Sequence, residues 1–233
     1  MAAQEERPSV TIRAVAFADM PGSGPAGSGP AGSASDGAVA AIRAGRSVIL
    51  PTDTVYGLCA DAYREEPVRS LARLKARPAE QPIALLAADL DAILDAVPEL
   101  RGRAAVTARA LLPGPYTLVV PNPARRFRWL TGSNAEAVGI RVPNLPADTR
   151  SVLERVTLLA ATSANAHGGP DPARVDDVPE EIRARVGAIL DGGTLPGTPS
   201  TVVDLTGPEP RVLRSGAVPA DEALARIARL ATG

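Results

Sequence analysis

The chain has 233 residues, 45% of them apolar, and a formal net charge of −1, which suits one well-packed soluble domain and removes the electrostatic case for a dedicated nucleic-acid or membrane-surface binder. Aromatic residues make up only 3% of the chain, too few for a platform that stacks the bases of single-stranded RNA. Cys59 is the only cysteine and His167 the only histidine, so an intramolecular disulfide is excluded, and soft ligands are too few for a structural zinc site.

Met1 to Ser9 carries mixed charges and no apolar stretch of the kind an export signal needs, and no run is long enough to span a bilayer. The expectation is a cytoplasmic protein with no membrane association. In residues 1–19, Val10, Ile12 and Ala14 alternate with polar neighbours and predict a short edge strand. Residues 20–36 form a Gly/Pro/Ser/Ala tract with an imperfect GSGPA repeat, a composition that buries no core and reads as a flexible linker. A catalytic domain is expected over residues 37–233.

Asp36 is the expected N-cap of the first helix, with Val39 and Ile42 on one face and Gly45 at its end. A strand over Ser47 to Leu50 follows. Pro67 is expected to open a second helix with Val68, Leu71 and Leu74 at helical spacing, broken at Pro78 after Lys75 and Arg77. Further strands are predicted at Ile83 to Ala87, Tyr116 to Val120, Val138 to Val142, Thr157 to Ala161, Ala188 to Leu190, Thr201 to Leu205 and Arg211 to Leu213. Helices occupy several of the intervals between them. Alternation of this kind predicts an α/β domain with a twisted mixed sheet, and the short spacing of the last two strands predicts an antiparallel hairpin. The final segment, Ala220 to Leu230, reads as an amphipathic helix with Leu224, Ile227 and Leu230 inward.

Four segments at strand or helix ends are richer in small and polar residues than a simple connection needs. In Pro51-Thr52-Asp53-Thr54-Val55-Tyr56-Gly57-Leu58, hydroxyls, a carboxylate and a phenol could bind a small polar substrate. On residue chemistry alone, a Pro-initiated turn with Asp53 capping the next few residues is the better reading. Lys75 and Arg77 leave a helix end two positions apart; they could straddle a polyphosphate, or could be solvated charges that complement the helix dipole. Lys75 is the only lysine among 25 cationic side chains, and a compact ammonium is not interchangeable with a guanidinium at a crowded phosphate site. That tips the reading toward phosphate.

The third segment, Ala161-Thr162-Ser163-Ala164-Asn165 with His167, Gly168 and Gly169, suits phosphate or ribose oxygens, or an ordinary strand exit. A Ser163–His167 nucleophile and base is rejected, since no third orienting group accompanies them. The fourth runs from Gly192-Gly193 through Pro199-Ser200-Thr201 to Arg214-Ser215-Gly216, with Arg214 suited to a phosphate or carboxylate. None of these segments matches the P-loop or the dinucleotide-binding fingerprint.

Taken together and in order, PTDTVYGLCADA, LKARPAEQPI, LLPGPYTLVV, RWLTG, VGIRVP, TSAN, DGG, PSTVVDL and VLRSG resemble the YrdC/Sua5 family over residues 37 to 218. The resemblance implies a YrdC-like twisted sheet around a deep, positively lined cleft. It also implies the synthesis of L-threonylcarbamoyladenylate and pyrophosphate from L-threonine, bicarbonate and ATP, for N6-threonylcarbamoyladenosine in tRNA. By that resemblance Lys75 and Arg77 are catalytic and hold ATP phosphates together with Ser163, Asn165 and Arg214. Thr52, Arg141 and Ser200 bind threonine, with Arg141 as a bidentate clamp on its carboxylate. Mg²⁺ is expected with ATP and not in a protein cage, and no protein metal site is expected.

The sequence departs from the family pattern at Leu86, where many longer members have histidine, and at Asp171-Pro172-Ala173, where Ser-Pro-Thr is common. It resembles the short, single-domain branch, which passes its product to separate transferase proteins. A different reading, double-stranded RNA or ribosome binding, draws on Arg125-Arg126-Phe127-Arg128-Trp129, with a solvated turn as the plainer account of those residues. Carbamoyl transfer in hydrogenase maturation ranks last, because the accompanying acylphosphatase and zinc-finger segments are missing.

Overall fold

A computed structural model describes residues 33–230 apart from residue 79. The edge strand expected near Val10 to Ala14 and most of the expected linker lie outside the described residues. The first helix, α1, spans Ala34–Arg43 and begins before Asp36. Ser33 is its N-cap, and Asp36 closes a capping box by accepting from the Ser33 backbone N–H at 2.8 Å. Asp36 therefore works from inside the first turn, and the last residues of the expected linker are helical. The chain leaves through Gly45 at φ +77°.

Nine strands form one sheet in the order β7-β1-β2-β6-β3-β5-β4-β8-β9. They are β1 (Val48–Pro51), β2 (Tyr56–Asp61), β3 (Ala84–Ala87), β4 (Tyr116–Pro121), β5 (Ala137–Arg141), β6 (Leu158–Ser163), β7 (Ala188–Ile189), β8 (Thr201–Asp204) and β9 (Arg211–Arg214). The pairs β1/β7, β3/β5 and β4/β8 are parallel and the other neighbours antiparallel, so the sheet is mixed as expected, with β8/β9 as the final hairpin. The strand the sequence hid is β2. It is buried on both faces, shows no alternation of apolar and polar residues, and comes after a Thr/Asp-rich turn that masks its start.

The other helices are α2 (Glu65–Leu74), α3 (Leu90–Ala96), α4 (Gly102–Leu111), α5 (Ala147–Val156), α6 (Glu180–Arg183) and α7 (Ala220–Leu230). Pro67 does not open α2; it sits within the first turn, where its missing N–H has no intrahelical partner to lose. In α7 the inward residues are Ala223 and Ile227, and Leu224 is 38% exposed.

Alternation along the strands divides the apolar residues into two cores. Val48 and Leu50 join a smaller cluster with Val39 and Ile42 of α1 and Val152 and Leu153 of α5. Ile49, Leu85, Leu118 and Ile140 face a larger cluster that takes in Leu71 of α2, Ile93 of α3, Ala108 of α4 and Ile227 of α7. Thus α1 and α5 cover only the β7-β1-β2-β6-β3 part of one face. Among the described residues no helix covers that same face over β5, β4 and β8, and Thr117, Val119, Gly139, Arg141, Val202 and Asp204, the residues alternating with the core positions, form the floor of a cleft.

Candidate active site

The cleft encloses about 430 Å³, and its lining includes Thr52, Arg77, Arg141, Ser163, Ser200 and Arg214. Lys75 and Asn165 stand behind its wall and are buried. Six of the eight residues singled out in the sequence therefore line one cleft, and hydrogen bonds tie the other two, Lys75 and Asn165, to Ser163 in its wall.

Lys75 and Arg77 reach that region by the way α2 ends. The Ala76 N–H bonds to the Arg73 carbonyl at 3.2 Å and the Arg77 N–H to the Ala72 carbonyl at 2.9 Å, a Schellman pattern, with Ala76 at φ +50° in the place glycine usually takes. Holding alanine there costs about 1–2 kcal/mol, and the turn sends Lys75 and Arg77 to the cleft wall. Lys75 is only 4% exposed, which overturns the reading of a solvated charge at a helix end; Arg73, paired with Glu66 at 2.5 Å, fills that role. The Lys75 ammonium donates to the Ser163 carbonyl and, at 2.7 Å, to Asn165 Oδ1. Ser163 Oγ donates to the same Oδ1 at 2.6 Å, and Asn165 Nδ2 donates to the Gly169 carbonyl at 2.6 Å. Ser163 thus bonds to Asn165, whereas the His167 ring lies 3.4 Å from Gln81 Nε2.

Arg77 donates to Thr162 Oγ1 at 2.9 Å and to the Pro82 carbonyl at 2.7 Å. Across the cleft, Arg214 donates through Nη2 and Nε to the Ser200 carbonyl at 2.9 and 3.2 Å, and Ser200 Oγ lies 2.8 Å from Thr117 Oγ1. The approach depends on Gly216, where a Cβ would fall 2.2 Å from the Pro199 carbonyl oxygen.

Arg141 is held differently. Its Nη2 donates to Asp53 Oδ1 at 2.8 Å, to Thr54 Oγ1 at 2.5 Å and to Thr52 Oγ1 at 3.3 Å. Asp53 does not cap the residues after it; it reaches β5 and also accepts from the Asn144 N–H at 3.0 Å. Thr52 Oγ1 closes its own turn on the Val55 carbonyl at 2.7 Å. With Nη2 so occupied, a substrate carboxylate would meet Arg141 through its remaining N–H groups.

The cations strain against one another. Burial, then Arg77, pull Lys75 down to about 8, while Asp171 opposes them. Burial, then Arg214, lower Arg77. Burial lowers Arg214 as well, with Asp171 opposing and Arg141 adding to the fall. Arg77 Nε and Arg141 Nε are buried without a hydrogen-bond partner, and each such donor costs about 1–3 kcal/mol. An oxyanion in the cleft would relieve the excess positive charge.

Sequence reasoning passed over Thr117, Thr162 as the partner of Arg77, and Asp53 as the counter-ion of Arg141. Alternation on β4 was the available signal for Thr117. The pairing of distant turns had none. Leu86, where the family pattern suggested histidine, is fully buried in the smaller core between the sheet and α1 and α5, so that position does not face the cleft. The Arg125 to Trp129 segment is a structural turn: Arg125 pairs with Glu136 at 2.7 Å, Arg126 with Glu99 at 2.8 Å, and Trp129 Nε1 donates to the Ala62 carbonyl at 2.9 Å. Among the described residues no group of three or more His, Cys, Asp or Glu side chains could hold a metal ion, and no helix is long and apolar enough to cross a membrane.

Comparison with known proteins agrees with this architecture. A threonylcarbamoyl-AMP synthase of Pyrococcus abyssi (strain GE5 / Orsay) is 36% identical over 186 residues, covering 79% of this chain, and this chain spans 54% of its length. A threonylcarbamoyl-AMP synthase of Stenotrophomonas maltophilia (strain K279a) is 34% identical over 164 residues, covering 68% of this chain and 86% of its own. The crystal structure of P. abyssi Sua5 complexed with L-threonine superposes with a TM-score of 0.74 at 34% identity, over 82% of this chain and 56% of that one. The Sua5/YciO/YrdC family model, described as telomere recombination, matches residues 40–216, and on that match the chain belongs to the Sua5/YciO/YrdC family.

Proposed function

We propose that this chain is an L-threonylcarbamoyladenylate synthase acting toward N6-threonylcarbamoyladenosine in tRNA. The observation that carries the reading is a cleft in which Lys75, Arg77 and Arg214 are hydrogen-bonded to neutral acceptors, beside a second group, Arg141 with Thr52, Asp53 and Thr54. The first arrangement suits a polyphosphate, the second a small amino acid. The names of the curated relatives and the threonine complex of the P. abyssi protein support the same substrates.

In the proposed reaction the threonine amine takes up bicarbonate with loss of water to give N-carboxythreonine. Its carboxylate oxygen attacks the α-phosphorus of ATP, and the bond to the β-phosphate oxygen breaks to release pyrophosphate. Negative charge builds on phosphoryl oxygens in that step, so fixed cations and N–H donors supply the stabilisation and no side-chain nucleophile is needed. Arg77 holds the phosphates at one wall, Lys75 adds its charge from just behind that wall, Ser163 and Asn165 shape it, and Arg214 and Ser200 hold the opposite side. Arg141 receives the threonine carboxylate beside Thr52. Mg²⁺ enters as part of the ATP complex, since Asp204 in the cleft lining and Asp53 beside Arg141 are committed to Arg211 and Arg141.

Transfer of the product to separate transferase proteins completes the reading, and free, buried Cys59 is compatible with a reducing cytoplasm. The test measures pyrophosphate release with ATP, Mg²⁺, bicarbonate and single amino acids. Release should require threonine and bicarbonate together; release indifferent to either one would overturn the assignment.

A further inference from the structure

The chain holds one Trp, three Tyr and two Phe, and Tyr63, Phe127 and Trp129 meet away from the cleft in an open hollow of about 760 Å³. Their rings stand at angles to one another, Tyr63 to Phe127 at 5.9 Å and 54°, Phe127 to Trp129 at 6.5 Å and 85°. Trp129 is anchored by its bond to the Ala62 carbonyl, and it and Phe127 lean on the larger core. Tyr63 packs on Phe127 yet is 52% exposed, so much of its ring is open to a ligand. Phe127 at φ +50° and Thr157 at φ +69°, both in the lining, hold a backbone conformation that is costly without glycine.

The same hollow is lined by Asp89, Asp91 and Asp95. Local structure accounts for two of them. Asp89 caps α3 by accepting from the Ala92 N–H at 2.8 Å, and Asp91 in the first turn suits the positive end of the helix dipole. Asp95 stands in the last turn, where the dipole disfavours a carboxylate, and one turn from Asp91, which it repels. Among the described residues none of the three forms an ion pair. The cation in the lining, Arg126, gives its Nε and Nη2 to Glu99. Aromatic faces beside carboxylates that lack a counter-ion suit a guest cation.

Residues 1–32 carry Glu5, Glu6 and Asp19 against Arg7 and Arg13, and residues 231–233 are Ala-Thr-Gly, so the remainder of this chain is a poor source of that charge. A guanidinium is planar, stacks on aromatic rings and pairs with carboxylates at its edge. We propose that the hollow docks an arginine-bearing segment of a partner protein, its guanidinium seated on the Tyr63, Phe127 and Trp129 rings and paired with Asp91 and Asp95. The cleft lining takes Gly57, Ala84 and Ser163 from one end of β2, β3 and β6, and the hollow takes Tyr63, Asp89 and Thr157 from just beyond the other end. The two sites are roughly 15–20 Å apart along the strands, so a partner docked here leaves the cleft open.

Trp129 is the only tryptophan, and its fluorescence reports on the hollow directly in the full chain. A blocked Gly-Arg-Ser-Arg-Gly peptide should change that signal saturably below millimolar concentration and more weakly as salt rises. The citrulline counterpart, equal in shape but uncharged, should not. The double variant Asp91→Asn, Asp95→Asn should weaken binding by about tenfold, and Tyr63→Ala should weaken it while Tyr63→Phe retains it, with circular dichroism and melting confirming that each variant is folded. Absence of a saturable change up to millimolar peptide overturns the proposal, as does equal binding of the citrulline peptide or undiminished binding by the folded double variant. Self-association of the protein that the double variant abolishes would assign the hollow to a second copy, and a fluorescence change with duplex RNA in place of the peptide would assign it to nucleic acid; either result overturns the partner-protein reading. The titration uses neither ATP nor threonine, so its outcome is independent of the pyrophosphate assay.

Discussion

Two basic regions of this protein look alike as letters and differ in what their charges meet. In the Arg125 to Trp129 turn, Arg125 and Arg126 find Glu136 and Glu99, and the aromatic rings of Phe127 and Trp129 pack against each other at 6.5 Å. At the cleft, Lys75, Arg77 and Arg214 find carbonyls, a hydroxyl and an amide oxygen. A carboxylate cancels the field of a cation, whereas a neutral acceptor fixes its direction and leaves most of the charge available. The first region is a turn, and the second fits the anion site proposed for it. The number of cations does not separate them; the chemistry of their partners does.

The comparison breaks first at Lys75. Lys75→Ala should lower pyrophosphate-releasing turnover by about 10²-fold or more, while the melting temperature moves by only a few degrees. Loss of two hydrogen bonds is offset by relief of a buried charge. A large fall in melting temperature would make Lys75 a structural residue. The same variant tests the sign of the coupling to pH. The folded value near 8 lies below the unfolded 10.5, so between them the unfolded chain binds the extra proton and the Lys75 contribution to stability rises with pH. Denaturation across that window should show a positive slope that shrinks in Lys75→Ala.

Arg214→Ala should weaken pyrophosphate binding about tenfold, or about 1.4 kcal/mol, as read by calorimetry, because one wall loses its cation while the Lys75–Arg77 wall remains. Equal affinity in the variant would detach Arg214 from the anion site. The smallest effect belongs to Arg126→Ala: an exposed ion pair is worth about 0–1 kcal/mol, and turnover should not change. If the variant instead lost affinity for duplex RNA with activity intact, the turn would be a nucleic-acid surface and the contrast between the regions would be wrong.

How much of this was readable beforehand varied with the range of the interaction involved. The bounds of α7, Ala220–Leu230, come from local periodicity, yet the expected inward Leu224 is exposed and Ala223 is buried. A period of 3.6 defines a stripe on a helix but not its rotation against α4 and the sheet. Strand β2 escaped because a strand buried on both faces lacks the alternation that marks a half-exposed one. Lys75 and Arg77 stood out by their spacing, and the rarity of lysine tipped the reading toward phosphate, but nothing local showed that Lys75 would be buried and not a solvated charge at a helix end.

The sequence by itself determined the α/β alternation, the positions of most strands, the final hairpin and the residue types collected at strand ends, since these depend on hydrophobic period and turn chemistry within a few residues. Tertiary structure alone decided that α1 and α5 leave one face of β5, β4 and β8 uncovered, that Asp53 pairs with Arg141, and that Lys75 is buried against Ser163 and Asn165. Those outcomes depend on which distant segments share a sheet face and on how their charges are desolvated, and neither is encoded in any one stretch of chain.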